Sequence, residues 1–308
     1  MSKKQVIVIA AASFFFFIIG IAVYLNSVYK EVSETADAMY QPDIRNTSEL
    51  RTTELELVRK EPFSVLLLGV DERDGDIGRS DTIIVLTVNP SIDSIKMLSI
   101  PRDTYTEIIG LNKMDKINHA YSFGGIDTSL YTVENLLDIP LDYVVQVNME
   151  SFVEIINIVG GISVENPFPF EIADYTFTEG KVNLDGEAAL RYVQMRMDDP
   201  EGDFGRQNRQ KQVLQAVLKK GASLQLFTKY KEFLGIFEKH IKTNMTFEQL
   251  IDIQKGYTST LNQIEPLAFE NGEGMFLNGI WYYQTNKDEL EELKFQLKKH
   301  LEIKETTP

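Results

Sequence analysis

Two nearly continuous apolar runs, FSVLLLGV at residues 63–70 and DTIIVLTV at 81–88, constrain the fold more than any other feature of the chain. A strand buried on both faces has this pattern, whereas a half-exposed strand alternates apolar and polar residues. A third run, SIKMLSI at 94–100, follows after the turn-rich link NPSID, which predicts a hairpin connection. We therefore expect three neighbouring antiparallel strands that are covered on both sides.

Helices and strands alternate along the rest of the chain. The apolar pattern predicts strands at 142–148 and 162–166 and helices at 127–137, 149–159, 186–196, 205–220, 246–256 and 287–300. Such alternation is typical of a layered α/β domain. The sequence has no internal repeat, so we expect a single domain at residues 61–308. A polar stalk or short helix at 26–60 would precede it.

Residues 6–25, VIVIAAASFFFFIIGIAVYL, form an uncharged stretch of twenty residues. A helix of that length spans roughly 30 Å, the thickness of a bilayer core. Lys3 and Lys4 precede the stretch and acidic residues follow it, so the positive-inside rule places residues 1–5 in the cytoplasm. The alternative is a cleaved signal peptide, for which the apolar region is long. We expect a single-pass membrane anchor and an extracytoplasmic domain.

The composition excludes some partners and some chemistry. The chain has 31 basic and 46 acidic residues, a formal net charge of −15, which argues against nucleic acid as a partner. The same charge would repel an anionic ligand unless local arginines or a divalent cation offset it. There is no cysteine, which excludes disulfides and thiol chemistry.

Arginine is distributed unevenly. Four of the ten arginines lie within residues 191–209, and the 99 residues after Arg209 contain none, although lysine remains abundant there. The planar guanidinium group binds carboxylate or phosphate oxygens two at a time, which the lysine ammonium does not. The clustering therefore indicates an anion-binding region.

Charged residues stand at three strand ends that antiparallel pairing would bring to one edge of the sheet. They are Asp71 after the first strand, Arg79 and Asp81 at the start of the second, and Arg102 and Asp103 after the third. Ligand sites of α/β proteins lie at such edges. The alternative is that these residues cap turns and face solvent. We expect the five side chains to converge.

A second set of polar residues lies at the start of the helix that Asp203 or Phe204 opens. Arg206, Arg209 and Gln210 share one helix face, which continues into apolar residues, whereas Lys211 and Lys219 are expected to face solvent. A buried arginine needs an anionic partner, and a helix N-terminus also favours anions. The partner is a ligand or, alternatively, Asp198, Asp199 or Asp203.

Carboxylates beside arginines suit a phosphate group bound together with Mg²⁺. This cation takes one or two carboxylates and completes its shell with phosphate oxygens and water. It offsets charge during phosphoryl transfer, while arginines hold the non-bridging oxygens. His119 is a further candidate for ligand contact, with a loop histidine satisfied by backbone groups as the alternative.

Five segments in order resemble the LytR-CpsA-Psr family, and within it the teichoic-acid transferase branch. They are LLLGVDER…GRSDTIIVLTVNP, MLSIPRDTYTEI, KINHAYSFGG, VGGISVENP and LDGEAALRYVQMRMDDPEGDFGRQNRQKQVL, which span about residues 61–225. The resemblance implies a three-layer α/β/α domain with a mixed central sheet, preceded by one N-terminal transmembrane helix.

The resemblance also implies an activity: transfer of an anionic glycopolymer, such as wall teichoic acid, from a polyprenyl-pyrophosphate carrier to peptidoglycan. It implies Mg²⁺, or Mn²⁺ in its place, at Asp71 and Asp81. Asp81 or Asp103 would be the general base, and Gln210 accompanies the motif. The pyrophosphate-binding positions it implies are Arg79, Arg102, Arg196, Arg206 and Arg209.

The sequence departs from the family pattern at one position, and two other functions are compatible with the same residues. Gln194 stands where the family often has arginine, which removes one potential phosphate contact. A non-catalytic protein that binds lipid-linked precursors would need the arginines and not the metal carboxylates. A polyprenyl-pyrophosphate phosphatase would use water as the acceptor.

Overall fold

The computed structural model describes residues 26–71, 78–196, 198–221 and 241–303. Its centre is a six-stranded mixed sheet with the strand order β11-β6-β1-β2-β3-β12. The strands are β1 (Phe63–Val70), β2 (Ser80–Asn89), β3 (Ser94–Ser99), β4 (Tyr105–Ile108), β5 (Lys113–Lys116), β6 (Tyr143–Asn148), β7 (Ile162–Asn166), β8 (Phe170–Ile172), β9 (Tyr175–Phe177), β10 (Gly180–Leu184), β11 (Ile241–Thr243), β12 (Ile264–Leu267), β13 (Glu273–Leu277) and β14 (Ile280–Gln284).

Helices alternate with these strands. They are α1 (26–39), α2 (His119–Leu137), α3 (Met149–Ile158), α4 (Gly186–Gln194), α5 (Asp203–Gly221), α6 (Phe247–Gly256) and α7 (Lys287–His300). The predicted helix at 127–137 begins earlier, at His119, and is interrupted where Gly124 and Gly125 leave helical geometry. The other predicted helices and strands lie within a few residues of their expected positions.

The three apolar runs form neighbouring antiparallel strands, as predicted. Val65 pairs with Leu86 across β1 and β2, and Val85 pairs with Leu98 across β2 and β3. β6 joins the other side of β1 in parallel, which makes the sheet mixed. Because β1 and β3 end where β2 begins, their polar flanking residues meet at one edge.

Alternate residues of β1 point to opposite faces, and helices cover both. Leu66 and Leu68 belong to a core with residues of α2 and α7, while Phe63 and Val65 belong to a second core with residues of α5 and α6. Burial on both faces is the physical reason why these strands are apolar throughout. A third apolar cluster joins α3, α4 and α5 to the small sheets β7–β10 and β8–β9.

The segment at 26–60, which was expected to be a stalk or a short helix, begins with helix α1 and packs on the domain. Tyr40 forms a β-bridge with Thr243. The Arg51 guanidinium holds both oxygens of the buried Asp142 carboxylate, at 2.7 and 2.6 Å. Within the described ranges no helix is long and apolar enough to cross a bilayer, and the predicted anchor at 6–25 lies outside those ranges.

Candidate active site at the sheet edge

The five charged residues at the strand ends line one cavity, as the sequence predicted. Val70, the last residue of β1, pairs with Ser80, so Asp71 and Arg79 are adjacent, and the Asp71 amide donates to the Arg79 carbonyl at 3.4 Å. The cavity has a volume of about 590 Å³. Its wall consists of Asp71, Gly78, Arg79, Asp81, Arg102, Asp103, Lys116, Asn118, His119 and Ser122.

Arg102 links the two acids that flank it. Its Nη1 donates to Asp81 Oδ1 at 2.8 Å, and its Nε lies 3.8 Å from Asp103 Oδ2. Burial acts to lower the pKa of Arg102, but Asp81, Asp203 and Asp103 outweigh it and raise the pKa above its usual value. Arg102 is therefore a permanent cation in the cavity wall.

Lys116 is a third cation of the cavity wall beside Arg79 and Arg102, and it was not predicted from the sequence. The antiparallel pair β4–β5 places Lys116 opposite Tyr105, two residues after Asp103. Lys116 Nζ donates to Asp103 Oδ1 at 2.6 Å, so Asp103 is held between two cations. The hairpin signal was the alternation TYTEI followed by KMDK, joined through Gly110 and Asn112.

His119 and Ser122, from the first turn of α2, also line the wall. His119 begins α2, and its Nδ1 lies 3.0 Å from Asp115 Oδ1. Ser122 Oγ donates to the Gly78 carbonyl at 2.8 Å, which ties α2 to the start of β2. His119 therefore lines the cavity while its ring is held by an acid outside it.

The start of α5 brings Arg206 towards this edge. Arg206 is 8% exposed, and its Nη2 lies 2.9 Å from Asp203 Oδ1. Burial is the largest cause of its lowered pKa, which neighbouring Arg102 lowers further against the opposing effect of Asp203. Arg196 approaches the same carboxylate with Nε at 3.6 Å from Oδ1, and its side chain is more exposed. Gln210, one turn after Arg206, is half-buried.

Arg209 lies elsewhere, although it was expected to share the ligand face with Arg206. Its side chain is 2% exposed and forms an ion pair with Asp199. Its Nε donates to the Tyr192 carbonyl at 2.9 Å, and its Nη2 donates to the Met195 carbonyl. Its guanidinium thus organises the 192–199 segment from inside the protein, and the internal ion pair given above as the alternative to a ligand is present.

Two further side chains, Lys211 of α5 and Gln194 of α4, bear on what the sequence predicted. Lys211 was expected to face solvent but is buried, with Nζ 3.5 Å from the Leu267 carbonyl, and burial lowers its pKa. Gln194 is exposed and accepts a hydrogen bond from Arg191 Nη1 at 3.0 Å. The family's additional arginine would stand at this exposed position.

The acids of the cavity fit the ligand set that Mg²⁺ prefers. Asp71 and Asp81 both line the cavity. In the described part of the chain, no three His, Cys, Asp or Glu side chains are grouped so that they could hold a metal by themselves. Two carboxylates are sufficient for Mg²⁺ when phosphate oxygens and water complete its shell.

Comparison with known proteins places the chain in one family. The model of the LytR_cpsA_psr family matches residues 26–299. A Bacillus cereus protein named polyisoprenyl-teichoic acid–peptidoglycan teichoic acid transferase TagU is 43% identical over 301 residues, which are 98% of this chain and 99% of that protein.

Solved structures agree with the sequence match. The crystal structure of B. subtilis TagU is 44% identical with a TM-score of 0.64, covering 81% of this chain and 100% of that chain. The structure of TagT with bound octaprenyl pyrophosphate lipid is 31% identical with a TM-score of 0.67, covering 84% and 98% respectively. By sequence along nearly its whole length and by its mixed α/β fold, the chain belongs to the LytR-CpsA-Psr family.

Proposed function

We propose that this protein transfers teichoic acid from a polyprenyl-pyrophosphate carrier to peptidoglycan and forms a phosphodiester bond. One observation carries the proposal: Arg102 lies between Asp81 and Asp103 in an open cavity that also contains Arg79 and Lys116. Cations and carboxylates side by side suit phosphoryl transfer, which needs both charge neutralisation and a proton acceptor. The names of the relatives support the same activity.

The basic side chains bind the pyrophosphate. The whole chain carries a net charge of −15, so an anionic donor is attracted only where cations are concentrated. Arg102 and Lys116 lie within the cavity, and Arg206 approaches it from the start of α5. Their guanidinium and ammonium groups donate to non-bridging oxygens and stabilise the charge that develops in the transition state.

The transfer step is a displacement at phosphorus. A sugar hydroxyl of peptidoglycan forms a new bond to the phosphorus that carries the polymer, and the bond from that phosphorus to the lipid phosphate breaks. The lipid phosphate leaves with the electron pair, and the hydroxyl proton goes to a carboxylate of the cavity. Asp81 and Asp103 both stand in the wall, and each is held in place by Arg102.

Asp71 and Asp81 would hold Mg²⁺, with Mn²⁺ as a substitute. The cation supplies charge neutralisation at the phosphate oxygens. If Asp81 serves the metal, Asp103 remains as the proton acceptor. The two roles are separable, because Asp81→Asn should raise the Mg²⁺ concentration needed for activity, whereas Asp103→Asn should lower the maximal rate at saturating Mg²⁺.

The location of the protein follows from the uncharged segment at 6–25. We propose that it is an uncleaved membrane anchor with residues 1–5 in the cytoplasm and the catalytic domain outside. This topology brings the enzyme to the lipid-linked donor and to peptidoglycan, and the sequence offers no basic face for nucleic acid.

Reconstitution tests the proposal. The full chain is placed in proteoliposomes with lipid-linked teichoic acid, Mg²⁺ and peptidoglycan glycan strands, and polymer covalently coupled to glycan is measured. We expect coupling with the wild type and a loss of about tenfold or more with Arg102→Ala, the effect of about 1.4 kcal/mol or more. Arg59→Ala is the control, because Arg59 is exposed and contacts Glu56, outside the cavity.

Three outcomes would contradict the proposal. Absence of coupled polymer under all conditions would exclude transferase activity. Release of free lipid phosphate at a rate that the acceptor does not change would indicate a phosphatase. Tight donor binding without turnover, unaffected by Mg²⁺ and by Asp81→Ala, would indicate a precursor-binding protein.

A further inference from the structure

The hairpin β13–β14 is an exposed apolar feature that the proposed chemistry does not use. Its turn is Asn278-Gly279, with φ of 51° and 79°, the positive values that a tight two-residue hairpin turn requires. Phe276 is 72% exposed and Trp281 is 37% exposed, and the two residues pair directly across the strands. Large apolar groups clustered in solvent at one tip are typical of a binding surface.

The two faces of the hairpin differ in chemistry. Phe276 and Trp281 share one face, while Leu277 and Ile280, the next pair along, lie on the other. At the tip the first face is aromatic and the second is aliphatic, whereas Tyr282 lies on the second face nearer the base. We call Phe276 and Trp281 the aromatic pair.

Gly274 leaves room for the Trp281 indole against the hairpin backbone. A Cβ atom added at Gly274 would come within 2.8 Å of Trp281 Nε1, so the indole covers the backbone at this position. A ring held against the backbone loses little freedom on binding, which favours a preformed flat surface.

The base of the hairpin is attached to the cavity. The Tyr283 amide donates to the Asp103 carbonyl at 2.9 Å, and Tyr283 forms a β-bridge with Thr104. The Tyr282 ring, on the opposite face of the hairpin from Trp281, lies 5.7 Å from Lys116 Nζ. The aromatic pair therefore stands on the hairpin whose base is bonded to the backbone of Asp103 and Thr104.

Charge and position indicate which substrate the aromatic pair fits. From Gly274 to Gln284 the hairpin contains no charged side chain, so it offers nothing to an anionic polymer or pyrophosphate. Helix α1 packs at the other end of the sheet, where Tyr29 contacts Phe247 just beyond β11, with ring centroids 5.2 Å apart. The hairpin, which bridges to Thr104 after β3, therefore lies at the opposite end of the sheet from α1.

We propose that Phe276 and Trp281 form a stacking surface for a sugar ring of the peptidoglycan acceptor. The C–H groups on one face of a pyranose carry partial positive charge and pack against the negative face of an aromatic ring. The stacked sugar holds the glycan strand beside Asp103 so that the next hydroxyl reaches the cavity. The proposal rests on the proposed function, since it assigns the binding place of that reaction's acceptor.

The single tryptophan of the chain makes the test direct, because all indole fluorescence comes from Trp281. Muramidase-derived peptidoglycan oligosaccharides are titrated into the full chain in proteoliposomes. We expect a saturable change in Trp281 emission, and Phe276→Ala should weaken the affinity roughly three- to tenfold. Gly274→Ala should weaken it too, because the new methyl group lifts the indole.

The matched control is the double variant Leu277→Ala, Ile280→Ala, which removes apolar area from the same tip on the opposite face. It should bind oligosaccharide as the wild type does. In turnover, Phe276→Ala should raise KM for the acceptor and leave donor affinity and kcat unchanged. Circular dichroism of each variant confirms that the fold is retained.

Two results would overturn the proposal. Unchanged Trp281 emission on adding oligosaccharide, with coupling still observed, would refute the stacking surface and leave the proposed function intact. Brominated lipids that quench Trp281 emission would show that the tip inserts into the bilayer instead, if the control double variant reduces this quenching as strongly as Phe276→Ala does. Conversely, glycan-dependent emission without any transfer would support the surface while contradicting the transferase activity.

Discussion

Replacing Arg206 by lysine separates phosphate binding from simple charge balance. Arg206 uses Nη2 to contact Asp203 at 2.9 Å, while its Nε has no hydrogen-bond partner within the described part of the chain. The guanidinium therefore still has a donor that no group of the described chain uses. Lysine keeps the charge but has only one nitrogen, so the contact with Asp203 and the contact with phosphate compete for it.

The expected loss is that of one charge-assisted hydrogen bond, about 1–3 kcal/mol, or roughly five- to 150-fold in affinity. Isothermal titration of the full chain with a polyprenyl-pyrophosphate analogue measures the affinity, and thermal unfolding is recorded alongside. Unchanged affinity at unchanged stability would refute the reasoning, because Arg206 would then only balance nearby acids.

Arg209→Lys is the matched comparison on the same helix, and it should have the opposite effect. The Arg209 guanidinium satisfies Asp199 and the carbonyls of Tyr192 and Met195 in a fully buried position. Lysine would leave two of these acceptors without a donor, at about 1–3 kcal/mol each, so we expect destabilisation of about 2–6 kcal/mol. Weakened ligand affinity in Arg209→Lys without loss of stability would show instead that this side chain contacts the ligand.

Three further predictions concern groups around the fold and the cavity. His300 is buried with its pKa lowered from 6.5 to about 4, chiefly by burial. The unfolded chain therefore binds this proton at higher pH than the folded one. The stability it contributes is complete above about pH 6.5, and about 3 kcal/mol is lost as the pH falls towards 4. His300→Gln should flatten this part of a urea-unfolding profile against pH, and an unchanged slope would contradict the assignment. Asp142→Asn should destabilise the protein by about 3–5 kcal/mol, since it leaves Arg51 buried without a full counter-charge, and a loss under 1 kcal/mol in chemical denaturation would refute that view. Lys116→Gln should weaken binding of the pyrophosphate analogue by about 1–3 kcal/mol, whereas Arg191→Lys should leave it unchanged. Equal effects of Lys116→Gln and Arg191→Lys on affinity in the same titration would contradict the distinction between cations of the cavity and cations of the surface.

The central strands and the edge they form were predictable from sequence. Strands buried on both faces show themselves as apolar runs, and charged residues mark where those runs stop. Asp71, Asp81 and Asp103 follow or begin such runs, and the short links between them allow only neighbouring antiparallel pairing. At this edge the apolar pattern of each strand and the order of the strands in the sheet lead to the same prediction.

The surrounding residues were harder to predict because their positions depend on small hairpins and on tertiary burial. Lys116 reaches Asp103 only through the β4–β5 pair, whose strands are four residues long and largely polar. The hairpin at 273–284 carries a recognisable Asn-Gly turn, yet nothing in its sequence fixes its base to Asp103. Lys211 is buried by β12, which comes from a distant part of the chain.

The clustering of arginines in the sequence predicted more side chains at one site than the structure brings together there. Arg206 and Arg209 are three residues apart, but their side chains serve different partners, because α5 is covered on more than one side. Helical periodicity identifies a shared face and does not determine how far around the helix the burial extends.

The most direct test of the account is the position of the pyrophosphate itself. A crystal structure of the protein with a polyprenyl-pyrophosphate and Mg²⁺ should show the two phosphorus atoms in the cavity at the sheet edge. Arg102, Lys116 and Arg206 should lie within hydrogen-bond distance of phosphate oxygens, and Arg209 should remain paired with Asp199. Pyrophosphate bound away from Arg102 and Lys116 would contradict the central claim.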